Sequence, residues 1–174
     1  WQRKKSIYAN SNLFVVTPSK WLVNSVNKSM LKPKGKQVID NGVDLSVFKP
    51  GDKKKIREEL NLPETAFIAL FVSAAGSEKD AYKDYHTVEA SLDIINRIPG
   101  DVLFICIGGK NADSHSRGKS IFTGFITDAK KLIKYYQSAD VFLHAALADN
   151  FPYTALEALA CGLPVIATAV GGIP

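Results

Sequence analysis

The 174-residue sequence has few of the features that mark secreted, membrane-spanning or disulfide-linked proteins. Its two cysteines, Cys106 and Cys161, do not form a C-x-x-C pair, which excludes a disulfide framework and favours a reducing compartment. No apolar run approaches the roughly 20 residues that cross a bilayer, and no apolar signal segment follows the opening WQRKK. We therefore expect a soluble, cytoplasmic chain.

Several catalytic and binding motifs are also missing. No strand is followed by G-x-G-x-x-G, and no G-x-S-x-G elbow is present. The GKS at 118–120 is not a phosphate loop, because position 113 is Asp and the next residues have the pattern of a strand. The three histidines have no metal-like spacing, so we expect structural or solvated roles for His86, His115 and His144, and no metal or cofactor.

The composition is that of one folded α/β domain. Hydrophobic residues make up 46% and aromatic residues 10%, which is enough to fill a core and excludes disorder. The 22 basic and 17 acidic residues give a net charge of +5, spread over scattered groups without one basic stripe. This balance suits phosphate-bearing ligands or an anionic membrane surface and does not indicate nucleic acid.

Apolar runs alternate with segments of helical spacing. Continuous runs predict strands buried on both faces, at 13–16, 66–72, 102–107, 141–147 and 164–170. Amphipathic helices are predicted at 84–98 and 128–139, with Asp128 as an N-cap. The order predicts a doubly wound, Rossmann-like parallel sheet, whose ligands bind at the carboxyl ends of the strands.

Two segments interrupt this pattern. Residues 41–52 carry two glycines and a proline and have the turn chemistry of a linker, which places a domain boundary near Phe48. Residues 108–120 are polar and follow a strand directly, so we expect a mobile loop beside the ligand edge.

The most informative segment is 148–174. After a buried strand and a polar turn, a short helix is predicted from Pro152 to Cys161, with Gly162 as its left-handed stop. The amides near Phe151 to Thr154 then form an anion site at the carboxyl edge of the sheet.

Two acidic residues lie in this segment. Glu157 has apolar neighbours on nearly every side, and a buried carboxylate needs a donor, which sugar hydroxyls can supply. The alternative is a Glu on an exposed edge or paired with a lysine. Asp149 either caps the helix or contacts a ligand.

The chain resembles the C-terminal half of a retaining glycosyltransferase of the GT-B fold, in the group-1 family that builds capsular polysaccharides and lipopolysaccharides. The resemblance covers nearly the whole chain, and its most specific part combines NGVD with LEALACGLPVIAT. The matching segments are VTPSKWLVNSV at 16–26, NGVDLSVFKP at 41–50, TGF at 123–125, SADVFL at 138–143 and DNFPYTALEALACGLPVIATAVGGIP at 149–174. Asp149 stands where most of the family has the first of two glutamates, as in the branch that reads DNFP.

This resemblance implies a set of donor-binding residues. Asp149 would contact the hydroxyls of the transferred sugar, and Glu157 those of the ribose. The amides of Asn150 to Tyr153, a stretch that includes Phe151 and Pro152, would meet the neighbouring sugar oxygens and the diphosphate. Gly124 and Phe125 would border the base.

The family also has an arginine and a lysine after the strand at 66–72. Lys83 matches the lysine and would neutralise the diphosphate leaving group, with Lys79 as a second candidate. No arginine matches, and Tyr82 or a shifted loop takes its place.

The implied reaction is hexosyl transfer from a nucleotide-diphosphate sugar to a glycan or lipid-linked acceptor, without a metal. Residues 1–46 would be the tail of an acceptor domain with its linker, and 47–174 the nucleotide-sugar-binding domain, truncated at its end and inactive alone. The alternatives are a non-catalytic nucleotide-sugar-binding module and, less well matched, a GT-B epimerase or phosphorylase. Peripheral contact with the inner face of the membrane is the alternative to a purely cytoplasmic location.

Overall fold

The computed structural model describes residues 1–73, 82–108, 115–117 and 119–174, which fall into two compact units. The first unit comprises Trp1–Gly42, Ala148–Pro152 and Ala169–Pro174. The second comprises Val43–Leu147 and Tyr153–Thr168. The assignment of 1–46 to an acceptor domain stays a prediction.

The first unit contains a two-stranded parallel sheet and two helices. Its elements are α1 (Gln2–Ala9), β1 (Phe14–Thr17), α2 (Lys20–Asn27) and β2 (Gly35–Val38). The side chain of Ser19 caps α2 by accepting from the Leu22 amide at 3.2 Å. The apolar run at 13–16 forms the predicted strand, but Phe14 and Val16 are 75% and 58% exposed. Burial on both faces is therefore wrong for this run, because its sheet has only one further strand.

The second unit is built on a six-stranded sheet of order β5-β6-β4-β3-β7-β8. Five strands are parallel, and β5 pairs antiparallel with β6 at one edge, which confirms the predicted Rossmann-like sheet. The elements in chain order are α3 (Lys53–Glu59), β3 (Phe67–Val72), α4 (Tyr85–Arg97), β4 (Val102–Ile107), β5 (His115–Arg117), β6 (Ser120–Phe122), α5 (Ala129–Ser138), β7 (Val141–His144), α6 (Tyr153–Ala160) and β8 (Val165–Ala167).

The core lies on both faces of this sheet. Alternate residues of β3 point to opposite sides: Ile68 and Leu70 pack with residues of α5 and α6, whereas Ala69 and Phe71 pack with residues of α4. The predicted caps are confirmed for Asp128 and Gly162. Asp128 accepts from the Lys130 amide at 2.9 Å, and Gly162 has a φ of 77°.

Two predictions about loops and edges need correction. Within 108–120, residues 115–117 form β5 instead of a loop, because their backbone groups complete the ladder with β6. Residues 109–114 and 118 lie outside the described part. The run at 164–170 gives only a three-residue strand, β8, whose Ile166 is exposed because β8 is the other edge of the sheet.

The linker predicted at 41–52, with a domain boundary near Phe48, stays a prediction, and the two compact units divide between Gly42 and Val43. The segment has no helix or strand, and Phe48 closes a turn by donating its amide to the Asp44 carbonyl at 2.8 Å. No helix among the described residues is long and apolar enough to span a bilayer.

Candidate functional site

The strand order of the second unit creates a switch point. From β3 the chain continues to β4 on one side, whereas β7 and β8 lie on the other side of β3. In open α/β sheets, ligands bind above the carboxyl ends of the strands where the order reverses. The gap between the ends of β3 and β7 is therefore the place to look for a ligand site.

Lys83 lies at this switch point. Its backbone forms an antiparallel bridge with Ala146, just beyond the end of β7. The flanking residues strengthen the pairing: the Leu147 amide donates to the Tyr82 carbonyl at 2.8 Å, and the Asp84 amide to the Ala145 carbonyl at 3.3 Å. Although it follows β3 in sequence, Lys83 is thus fixed beside the end of β7.

The side chain of Lys83 contacts a buried histidine. Its Nζ lies 3.3 Å from Nε2 of His144, which is 1% exposed and packs beside the ring of Phe142. An ammonium group can only donate, so Nε2 is the acceptor in this arrangement. The expected structural role of His144 is met, but its contact with the candidate lysine was not predicted, since the two residues are 61 positions apart.

The turn at Gly124 and Phe125, predicted to border the base, packs closely against the backbone of Gly108. The Gly108 amide donates to the Gly124 carbonyl at 2.8 Å, at the ends of β4 and β6. Gly108 has a φ of 116°, and a Cβ there would lie 1.6 Å from the Ser73 carbonyl oxygen, so only glycine fits. The turn leaves the ring of Phe125 exposed, as contact with a planar ligand requires.

Glu157 lies on α6 and has a protein partner that sequence reasoning missed. The Tyr136 hydroxyl on α5 donates to Oε2 of Glu157 at 2.8 Å. Burial raises the pKa of Glu157, and the hydrogen bond from Tyr136 opposes that shift. The carboxylate is half-buried and its partner is a tyrosine, so the alternative of an exposed edge or a lysine partner does not describe it.

Tyr136 could have been noticed from its spacing alone. It shares a helix side with Leu132 and Ala139, which marks it as buried, and a buried hydroxyl needs a polar partner. Nothing in the sequence identified Glu157 as that partner.

The turn that contains Asp149 belongs to the first unit. Ser19 donates its hydroxyl to Oδ1 of Asn150 at 2.7 Å, and the Gly172 amide donates to the Asp149 carbonyl at 2.9 Å. A Cβ on Gly172 would lie 1.9 Å from the Asn150 carbonyl oxygen, so the turn packs directly on glycine backbone. Both interpretations of Asp149, as a helix cap and as a ligand contact, stay predictions.

The backbone of the same segment offers fewer donors than its length suggests. Asn41 donates its side-chain amide to the Phe151 carbonyl at 3.4 Å. Pro152 has no N–H, so the amide donors of this stretch are those of Asn150, Phe151 and Tyr153.

Other candidates contribute less. Lys79 lies outside the described residues. Cys106 and Cys161 are free and buried, and burial raises the pKa of each thiol to about 11, so neither is a thiolate at neutral pH. Among the described residues, no three His, Cys, Asp or Glu side chains group as a metal site.

Comparison with known proteins identifies the relatives of this chain. Residues 52–174 match the family described as Glycosyl transferases group 1. A D-inositol 3-phosphate glycosyltransferase 2 from Catenulispora acidiphila is 29% identical over 151 residues, which cover 78% of this chain and 35% of that protein. The chain thus spans about a third of the length of the curated relatives it matches.

Solved structures extend the comparison to the fold. Sucrose-phosphate synthase from Thermosynechococcus elongatus superposes with a TM-score of 0.78 at 27% identity, over 99% of this chain and 44% of that one. The Anabaena protein HepE, solved in complex with UDP-glucose, gives a TM-score of 0.74 at 19% identity, over 98% of this chain and 49% of its own. The fold is that of the C-terminal domain of GT-B glycosyltransferases.

Proposed function

Because the chain belongs to the group 1 glycosyl transferases, we propose that it binds a nucleotide-diphosphate sugar for retaining transfer to a glycan or lipid-linked acceptor. In this proposal the sugar is of the hexose type, and the chain belongs to the branch of the family that reads DNFP and has Asp149 in place of the first glutamate. A neighbour in fold was solved with UDP-glucose, which supports a donor of this chemical class.

The observation that carries this proposal is the position of Lys83. It is held at the switch point of the sheet, where an ammonium group can meet a diphosphate. In sugar transfer the bond from the anomeric carbon to the diphosphate oxygen breaks, and negative charge grows on the departing phosphate. The acceptor hydroxyl forms the new bond to the same carbon, and its proton leaves with the diphosphate. A fixed positive charge beside that phosphate stabilises the transition state more than the bound donor.

The remaining contacts orient the donor. Glu157 accepts hydrogen bonds from the ribose hydroxyls, and the amide of Tyr153, at the start of α6, meets the diphosphate. Gly124 and Phe125 border the base. For the first unit we propose that Asp149 meets the hydroxyls of the transferred sugar and that the turn at Asn150, Phe151 and Pro152 borders it.

Binding and transfer are separate parts of the proposal. The acceptor would bind to residues that precede this chain in a longer protein, so the chain alone binds donor without transferring sugar. The basic balance of the sequence supports peripheral contact with an anionic membrane face, where lipid-linked acceptors are found.

A second function is a nucleotide-sugar-binding module without catalysis. Two departures favour it: no arginine matches the family's pair of basic residues, and Asp149 is shorter than the usual glutamate. Both functions require nucleotide-sugar binding, and only the first requires turnover. Assays for sugar transfer and donor hydrolysis by the chain joined to an acceptor domain separate them.

The first experiment is a thermal-shift and calorimetry screen of UDP, GDP, ADP and their sugars against the chain. We expect one base series to raise the melting temperature, since a ligand at 100 times its Kd stabilises the folded state by about 2.7 kcal/mol. The matching nucleosides, which lack the diphosphate, are the control and should give a much smaller shift. Equal shifts with nucleoside and diphosphate, or none with any nucleotide, would contradict the proposal.

A further inference from the structure

We propose that Tyr136 is a positioning residue of the donor site, which orients the Glu157 carboxylate so that it accepts from the ribose hydroxyls of a nucleoside diphosphate. This inference rests on the proposed function, because it takes the ribose as the ligand of Glu157. It assigns a role to a side chain that does not itself contact the nucleotide.

The Tyr136 side chain has little freedom to move. It is 1% exposed, and its ring packs edge-on against Phe48, with centroids 6.3 Å apart, and at a tilt against Phe142 at 5.7 Å. A phenol has only two side-chain torsions, and this packing restricts both of them. The hydroxyl is therefore a fixed donor, not one that adjusts to its partner.

The hydroxyl also stays protonated. Burial, followed by the charge and hydrogen bond of Glu157, raises the pKa of Tyr136 far above its ordinary value. Tyr136 thus keeps its proton at neutral pH and donates it, and Glu157 is its acceptor at 2.8 Å.

The Glu157 carboxylate has one anchor among the described residues. Tyr136 is its only hydrogen-bond partner within the part of the chain that the structure describes, and the next residue, Ala158, is fully buried. With Oε2 engaged, the plane of the carboxylate is set and Oε1 is left to accept from a ligand. Without the phenol, the carboxylate rotates about its last torsion and meets a vicinal diol less often in the right orientation.

The test measures discrimination between ribose and a sugar without hydroxyls. The probes are UDP, GDP and ADP, each paired with its 2′,3′-dideoxy analogue. For the base that binds, the ratio of the Kd of the dideoxy analogue to the Kd of the ribonucleotide reports the hydroxyl contacts alone. It is measured for the wild type, Tyr136→Phe, Glu157→Gln and the double variant.

Tyr136→Phe removes one oxygen and keeps the ring against Phe48 and Phe142, so the variant is expected to fold, which thermal melting checks. We expect its ratio to fall about three- to tenfold, towards that of Glu157→Gln. The Kd ratio of the double variant should be no lower than that of Glu157→Gln, because the two residues act through one contact.

Tyr135→Phe is the matched control. Tyr135 is the neighbouring buried tyrosine, and its hydroxyl has no hydrogen bond to any described residue.

The outcomes separate the two proposals. If Glu157→Gln lowers the ratio and Tyr136→Phe leaves it at the wild-type value, Tyr136 is only structural and this inference is wrong, while the ribose assignment of Glu157 stands. If Tyr136→Phe weakens both nucleotides of a pair equally, its effect is general and the inference is also wrong. If the wild type binds a nucleotide but does not discriminate, Glu157 does not meet the ribose; this inference and the ribose assignment of Glu157 are then both wrong, while donor binding itself stands.

Discussion

The guanidinium of Arg57 donates to Oδ2 of Asp140 at 2.7 Å, and the Ile68 amide donates to the same oxygen at 2.7 Å. Arg57 also donates to the carbonyls of Ser138, Glu64 and Ala66. One buried arginine on α3 thus joins the end of α5 to the amino end of β3. This contact holds β3 beside β7. The carboxyl ends of these two strands flank the switch point.

Removal of Arg57 should destabilise the chain strongly. Its side chain is 5% exposed, and Arg57→Met would leave several carbonyls and part of Asp140 without their donor. Leaving a buried acceptor without its donor costs about 1 to 3 kcal/mol, and the Ser138 and Ala66 carbonyls both lose theirs, so we expect a loss of at least that size in the free energy of unfolding, measured with urea. The control is Lys54→Met, which removes an ion pair with Glu64 whose side chains are 76% and 61% exposed, and it should cost far less because solvent screens an exposed pair. Similar losses for both variants would contradict a central role for Arg57.

Asp140 should make the free energy of unfolding of the chain depend on pH in the acid range. Burial would raise the pKa of this carboxyl, but hydrogen bonds from Lys53, the Ile68 amide and Arg57 outweigh it and lower the pKa below its ordinary value of 3.8. The folded state therefore binds this proton less readily than the unfolded state. The stabilisation is complete above the unfolded pKa and is lost as the pH falls through the folded pKa.

The measurement is the free energy of unfolding of the wild type and Asp140→Asn between pH 6 and pH 2.5. The wild type should be more stable at pH 6, and its advantage should shrink steadily with acid. Asp93→Asn, at an exposed carboxylate on α4, is the control. An advantage that is constant over this range would show that the pKa of Asp140 is not shifted.

Lys83→Ala should weaken nucleoside diphosphate binding and flatten its dependence on salt. The variant removes the ammonium group at the switch point, and a charge-assisted contact of this kind is screened by added ions. Calorimetric titrations between 50 and 500 mM NaCl measure both effects. Lys55→Ala, at an exposed lysine on α3, should behave as the wild type. Unchanged affinity of Lys83→Ala at low salt would remove Lys83 from the site.

Glu157→Gln should separate ligand affinity from stability. Glutamine keeps an oxygen that accepts from Tyr136, and it removes the cost of holding a charge in a half-buried place. We therefore expect nucleotide binding to lose about 1 to 3 kcal/mol while the free protein melts no lower. Glu58→Gln, at an exposed glutamate on α3, controls for the loss of one charge. A lower melting temperature with unchanged binding would mean that Glu157 is structural.

The strongly apolar elements of the second unit could be predicted from the sequence, and the polar ones could not. The run at 66–72 corresponds to β3, and the spacing at 84–98 corresponds to α4, because burial of their side chains requires that pattern. Helix α3 reads KKKIREE and has one aliphatic side chain, so no periodicity reveals it. It is held by the Asp52 cap and by the burial of Arg57, which a hydropathy pattern does not record.

The short strands were missed for a related reason. β5 consists of His115, Ser116 and Arg117, and β2 of GKQV, so neither contains an apolar run. Each is a strand because a neighbouring backbone offers a ladder of hydrogen bonds to it. Likewise, residues without a special local pattern became part of the candidate site: Tyr136 and His144 entered it through their contacts with Glu157 and Lys83.

The sequence by itself determined the class of the fold and the chemical types of the candidate residues, because apolar periodicity, caps and glycine stops are local properties of the chain. Only the tertiary structure decided which of these residues meet. Lys83 and His144 are 61 positions apart, and Arg57 and Asp140 are 83 apart. These pairs form because β7 lies beside β3, although β4 follows β3 in the sequence, and that strand order results from the packing of the whole sheet.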